Sequence, residues 1–369
     1  MQWVRNIKQY RVHFGALALA EKAVREEPRS PALRAALGNA LHALGRHEEA
    51  LSQLQFALAY RPEAFEWRRT CVDCLIELRR LKEAEGELAS VMQSVSDDAT
   101  AQRLRDRIAA MHEAANRRRR YRQAAPDDAV AGARAALAKS PGDKDALLEL
   151  AVALAKAGAS DAAREALSVE RHVEVVELAI PRNYASLSDF LGRLKGEILG
   201  IPNQLRDPIG RATRGGMRTF ALEAVDSPVI QSMLDAIEAQ VEAYVAREGQ
   251  SDAGFLRTCP SCATLDVWSV VFDGTGHQIS HIHPTGWVSG VLYVSGEQGP
   301  DGRYRGPLVL GHTEEMGENA PWGIREIEPI PGRLVMFPSH VPHMTRPPEA
   351  QDGSRIVVAF DVRPVAAEG

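Results

Sequence analysis

No apolar run in this sequence approaches the roughly 20 residues that a membrane-spanning helix needs, which argues against a membrane protein. Phe14 to Ala20, after a few cationic residues, is the nearest thing to a leader, but it breaks at Glu21-Lys22 and suits a helix better. Strong charge of one sign is also missing. A formal net charge of -5 gives no reason to expect nucleic acid. Cysteine is scarce too: the 4 present form two Cys-x-x-Cys pairs, Cys71/Cys74 and Cys259/Cys262. They sit far apart in segments of different character, so a single four-cysteine zinc site is not expected. Without a leader or a disulfide framework, the protein is expected to be cytoplasmic. A chain of 369 residues exceeds what one compact core usually takes, and two domains are expected.

What the first half does contain is a repeat. Pro28 and Pro62 stand one 34-residue period apart, and Leu37-Gly38, Leu41, Ala50, Leu54 and Ala57 fill the positions between them. Glycine and alanine let paired helices approach closely, and proline ends the second helix of each pair. This is the pattern of tetratricopeptide repeats. Carried back, the frame places Ala16, Ala20 and Ala23; carried forward, it places Cys71, Leu75, Ala84 and Leu88, with Ser96 where proline would stand. A polar helix, Asp97 to Gln123 with its arginine run at 117–120, interrupts the pattern, as a solvated face or, alternatively, a contact for an acidic partner. The repeat resumes with Ala129, Ala133, Ala136 and Pro141, then Leu147 to Ala163. Such arrays curve into concave surfaces that hold a peptide or another protein.

Beyond Val173 the texture changes. Ser186 to Leu191 and a long segment after Ser227-Pro228 read as helices. Short β-type runs then follow at Leu265–Phe272, Val288–Val294, Pro307–Leu310, Gly332–Phe337 and Ile356–Val362, with a turn expected at Asp273-Gly274. Six of the 11 histidines lie between His277 and His343. His281 and His283, spaced i and i+2 and flanked by strands, can present both rings on one face. A second arm, Pro331-Gly332-Arg333-Leu334-Val335-Met336-Phe337-Pro338-Ser339, leads to His343, and Arg355 opens the last strand. Two histidine arms around one ion leave positions for a bidentate 2-oxo acid and dioxygen. An arginine fork can hold the acid's far carboxylate.

Residues from about 175 to 364 resemble the 2-oxoglutarate- and Fe(II)-dependent oxygenase superfamily. The resemblance rests on Trp268, His281-Ile282-His283-Pro284, Ser289 to Val294, the 331–339 block, His343 and Arg355. It implies that His281 and His343 ligate iron, that Arg355 anchors 2-oxoglutarate, and that Tyr293 touches the same co-substrate. One departure stands out. The superfamily usually carries Asp or Glu where this chain has His283. Either His283 replaces that carboxylate in a three-histidine site, or His283 is the first ligand with His281 behind it, or a carboxylate such as Asp273 or Asp266 joins from elsewhere.

The expected architecture is α+β: an α-helical tetratricopeptide-type solenoid over 1–170, then a double-stranded β-helix (jelly-roll) with flanking helices over 171–369. The expected activity is that of a dioxygenase using Fe(II), 2-oxoglutarate and O2 to hydroxylate a protein or peptide recruited by the repeats. A repeat scaffold with a degenerate metal- or ligand-binding β-domain is the alternative, and a cupin-like metal enzyme without 2-oxoglutarate would leave Arg355 idle. Self-association is left open.

Overall fold

The computed structural model describes residues 1–3, 7–94, 99–167, 169–201, 204–208, 211–248, 258–348 and 353–365. Ser96 and Asp97 lie outside them. Two compact units divide the chain: Asn6–Arg119, and Met1–Arg5 together with Arg120–Gly369.

The first unit stacks α1 (Ile7–Glu26), α2 (Pro31–Ala43), α3 (His47–Tyr60), α4 (Phe65–Glu77) and α5 (Leu81–Ser94) before most of α6 (Ala99–Gln123). Each helix from α1 to α4 packs on the next, as a repeat requires. The positions chosen for small or apolar residues are buried: Leu37, Gly38, Leu41, Ala50, Leu54, Ala57, Cys71, Leu75, Ala84 and Leu88. Gly38 shows why: a Cβ there would stand 2.6 Å from Leu54 Cγ, so a side chain would force α2 off α3. In α1 the buried stripe is Leu17, Ala20 and Val24: Ala20 is buried as expected, while Leu17 and Val24 are buried in place of the expected Ala16 and Ala23.

The helical pattern ends near residue 170, but the compact units divide within α6. The reason is a shared core. Helices α7 (Pro126–Lys139), α8 (Lys144–Lys156) and α9 (Ser160–Leu167) belong to the second unit. Ala151, Leu154, Ala163 and Leu167 pack in one cluster with Trp268, Phe272 and Tyr293.

That unit is a double-stranded β-helix. Its large sheet runs β2 (Glu174–Glu177), β9 (Arg333–Pro338), β6 (Val288–Ser295), β11 (Ser354–Pro364), β5 (Cys262–Gln278), β4 (Thr213–Arg218), β3 (Leu205–Arg206), with β1 (Gln2–Trp3) parallel to β5. A small sheet runs β10 (His343–Thr345), β7 (Leu308–Leu310), β8 (Arg325–Ile327). Alternation sorts the strand residues cleanly. Ile356, Val358, Phe360 and Val362 of β11 join Leu292, Val294, Leu334 and Met336 against α10 (Leu187–Gly200) and α11 (Pro228–Glu248). Val357, with Trp268, Phe272, Tyr293, Val335 and Phe337, joins Leu308 and Leu310 of the small sheet. Arg355, Ala359 and Asp361 carry the same parity as Val357. Ser186 and Ser227 cap the two helices, accepting from Asp189 N at 3.1 Å and Ile230 N at 3.3 Å.

The turn expected at Asp273-Gly274 is not formed. β5 continues to Gln278, paired with Thr213 of β4, and the irregularity is taken up by a register shift between Arg214 and Gly216. Gly274 and Gly215 supply the positive φ values of 40° and 63° that this bulge uses.

Candidate metal centre

Three of the histidines come together between the two sheets. His281 and His343 pair as an isolated antiparallel bridge, exchanging N–H···O bonds of 3.1 and 3.0 Å. The segment between β5 and β6 is thereby fastened to the start of β10. Two residues on, His283 N donates to Ser339 O at 3.0 Å. Ring centroids stand 4.2 Å apart for His281–His343 and 5.0 Å for each pair that includes His283. One donor atom from each residue lies within 4.8 Å of the others.

The Nδ1 atoms are all occupied. His281 Nδ1 lies 2.7 Å from Ile279 O, and His343 Nδ1 lies 3.1 Å from Val341 O. A carbonyl only accepts, so both Nδ1 atoms carry the proton and both Nε2 atoms are left with a lone pair. His283 Nδ1 lies 2.7 Å from Asp361 Oδ2, and its own Nε2 is buried with no hydrogen-bond partner. Fixing one ring nitrogen by an acceptor so that the other can ligate is how metal-binding histidines are held. Burial pushes His281 down to about 3, helped by its neighbour His283, and holds His343 well below the ordinary range for the same reason. Those two rings are therefore neutral at neutral pH, the form that binds metal.

A stack fixes the plane of His283. Its ring is stacked on Trp268 at 5.7 Å and 15°, and the Arg218 guanidinium covers the other side of Trp268 at 4.2 Å. Asp361 is itself tied by Ser289, whose hydroxyl donates to Oδ1 at 2.6 Å, and Ser289 meets Ser339 at 2.8 Å. Burial alone would raise the Asp361 carboxyl, but His283 and the Ser289 hydroxyl outweigh that and hold it below its usual value. It is a buried anion.

Beside the cluster opens a small pocket, walled by Trp268, Phe272, Tyr293, His283 and His343 among others. The Tyr293 hydroxyl is buried without a hydrogen-bond partner. Burial raises it above its ordinary range, and the positive charges of Arg355 and Arg333 lower it again in part. Arg355 is buried over the Phe272 ring at 4.5 Å, and burial pushes it down to about 10, still cationic at neutral pH. It donates to Gly306 O at 3.0 Å and Arg305 O at 3.2 Å, while its Nε has no partner. A buried hydroxyl and a buried guanidinium N–H that both lack partners are costly. Together they suit an anion.

Residues 266–361 match the family model described as 2OG-Fe(II) oxygenase, and tetratricopeptide models match 41–108 and, separately, 15–55 with 117–171. The chain joins tetratricopeptide repeats to a 2-oxoglutarate/Fe(II) oxygenase domain. Among solved structures, a prolyl-4-hydroxylase from Pseudomonas putida is 16% identical, covering 53% of this chain and 94% of its own, with a TM-score of 0.38. HygX from Streptomyces hygroscopicus, with nickel and 2-oxoglutarate bound, is 13% identical over 53% of this chain and 83% of its own, at 0.35. MamA from Desulfovibrio magneticus is 19% identical over 43% of this chain and 90% of its own, at 0.26. No curated protein matches the chain. The oxygenase family implies Fe(II) and 2-oxoglutarate, and the three histidines fit a metal.

In this oxygenase domain the carboxylates weighed from sequence lie elsewhere. Asp273 pairs with Arg206 on an exposed face, and Asp266 pairs with Arg363 at 3.1 Å. The acid that does reach the centre is Asp361, and it contacts His283 instead of standing beside the three free nitrogens. It went unread, although it shares its strand face with Arg355 and sits between Phe360 and Val362, where an unpaired carboxylate would be expensive. Of the other histidines, His277 bonds Thr275 O at 3.1 Å, and His340 is buried near Lys144 and His172. Trp268 lines the pocket, whereas Trp287 packs in the core on the helix side. No helix among the described residues is long and apolar enough to cross a membrane.

Proposed function

We propose that the oxygenase domain is an active Fe(II)- and 2-oxoglutarate-dependent dioxygenase, held by His281, His283 and His343, that hydroxylates a protein or peptide brought to it by the repeat segment, residues 1–170. The observation that carries this reading is the convergence of three histidines, two with Nδ1 spent on a carbonyl and one with Nδ1 spent on a carboxylate. When bound, the metal and co-substrate together supply oxidative decarboxylation and oxygen insertion into a C–H bond.

The chain's own residues supply the rest. Three Nε2 atoms bind the metal, and the backbone bridge between His281 and His343 keeps two of them at a set distance. Asp361 places one negative charge behind His283, which offsets the carboxylate that His283 replaces. That also weakens the case for a degenerate site, since a buried anion at this point has no packing advantage. Arg355 and Tyr293 take the co-substrate's carboxylate through the donors they now leave unmatched. Phe272, Trp268, Phe337 and Leu308 wall the pocket with apolar surface and exclude water.

The test is an anaerobic Fe(II) titration with 2-oxoglutarate, following the weak visible band of the chelated complex. A band in the wild type that weakens in Arg355→Ala supports the proposal. Wild-type protein that binds no Fe(II) and gives no band would overturn it.

A further inference from the structure

A second group of metal-ligating side chains stands in the repeat unit, where the oxygenase reading makes no use of it. His42 lies in the last turn of α2, His47 opens α3, and Cys74 is in α4. One donor atom from each lies within 4.8 Å of the others. His42 Nδ1 is 3.4 Å from Cys74 Sγ, and the two imidazole rings are 5.2 Å apart at 58°. Cys74 is fully buried, while both histidines are half-buried. The thiol side is closed, and the imidazole side can admit an ion.

The His42–Cys74 distance fits two donors of a tetrahedral ion. With Zn–N near 2.0 Å and Zn–S near 2.3 Å, two donors on a tetrahedron stand roughly 3.5 Å apart. A thiol hydrogen bond would explain 3.4 Å equally well, but it would need only His42 and Cys74. The ring of His47 is the third donor, and it comes from a different helix. Two imidazoles and a thiolate suit a d10 cation; magnesium and calcium want oxygen. Asp73 and Glu77, on the helix that carries Cys74, set a negative field at His42 that Arg107, bonded to Asp73 at 2.8 Å, offsets in part.

We propose that His42, His47 and Cys74 form a Zn(II) site with three protein donors and a fourth position open to water. It joins the two helices of one repeat, at their connecting loop, to the first helix of the next. A repeat is held only by its neighbours, so a clip at this joint ties two of them together. The proposal does not depend on the oxygenase reading.

Cobalt(II) alone is the probe, added to the full-length, metal-stripped chain carrying Cys259→Ser and Cys262→Ser. A thiolate-to-cobalt charge-transfer band can come only from Cys71 or Cys74 in that protein, because they are the two thiols left once Cys259 and Cys262 are replaced. We expect one equivalent of band, displaced by Zn(II), lost in Cys74→Ala and in His47→Gln, and kept in Cys71→Ala and His343→Ala. Absence of the band, or its survival in Cys74→Ala, overturns the site. Should Cys74→Ala lose its helical circular dichroism, His47→Gln decides: an unchanged band there also overturns the site.

Discussion

The two histidine clusters gather the same number of donors by opposite means. In the oxygenase domain the donors come from segments about 60 residues apart, and backbone bonds fasten those segments before any ion arrives: His281 to His343, and His283 to Ser339. Each imidazole there has its Nδ1 fixed by its own acceptor. In the repeat unit the donors come from three successive helices, and His42 turns its Nδ1 toward the thiol itself. Strands paired in register set the first site in advance. Helices that touch only through side chains leave the second to be drawn together by what it binds. The first arrangement suits catalysis, which needs a metal held in one geometry with positions left open; the second suits a structural tie.

The comparison breaks most visibly at His343. It is buried at the head of β10, and its ring is within 5.0 Å of both partners. His343→Ala is expected to cut Fe(II)-dependent turnover of 2-oxoglutarate by more than about 100-fold, a larger loss than second-layer partners give. The same variant should leave the cobalt–thiolate band of the repeat unit intact. Loss of both signals would mean that the change unfolds the chain and that the two clusters are not separate.

Asp361 sharpens the contrast. Asp361→Asn keeps an oxygen that can accept from His283 Nδ1 and removes the charge. Fe(II) affinity is expected to fall by about 10- to 100-fold, measured by competition with a chelator of known strength. Ser289→Ala removes one bond to Asp361 Oδ1 and should cost less. Equal effects from the two would show that Asp361 matters only as packing.

How this site could be foreseen differs part by part. The repeat was legible because each helix needs small or apolar residues at fixed spacing, and Gly38 against Leu54 shows the spacing at work. His281, His283 and His343 were legible because imidazoles cluster rarely. The short strands β3, β4, β8 and β10 were not, since runs of two to six residues carry too little alternation to stand out, and β10 is paired by β7 and by the bridge to His281. Asp361 was hidden for another reason: its partner is 78 residues away, and only the β11–β6 register brings Ser289 and then His283 to it. Where α7–α9 pack was equally invisible, because alanine-rich helices look alike whether they cover another repeat or a sheet.

Tyr293 and Arg355 give smaller effects. Tyr293→Phe deletes a hydroxyl that now has no partner, so the variant should fold at least as stably as the wild type. If that hydroxyl meets the co-substrate, the KM for 2-oxoglutarate rises by up to about tenfold, the worth of one hydrogen bond. An unchanged KM would leave Tyr293 as a packing residue. Arg355→Lys keeps charge but loses the fork, and should raise the same KM further.

The smallest expected effect compares two carboxyls of the one domain. Asp361 is held low by a histidine, whereas Glu223 is pushed up to about 8, first by burial and then by the charge of Asp266. Glu223 accepts from Val267 N at 3.1 Å, and a neutral amide oxygen can do the same. The sign follows from the direction. A carboxyl whose folded value lies above its unfolded value of 4.5 favours folding most at low pH, and that advantage drains away as pH climbs toward about 8. Glu223→Gln has no such drain. Its stability relative to the wild type should therefore rise between pH 5 and pH 8.5. Urea unfolding at both pH values reads this directly. A constant offset would mean that Glu223 titrates normally in the folded chain, and a buried carboxyl here would need a histidine or arginine partner to remain charged, as Asp361 does.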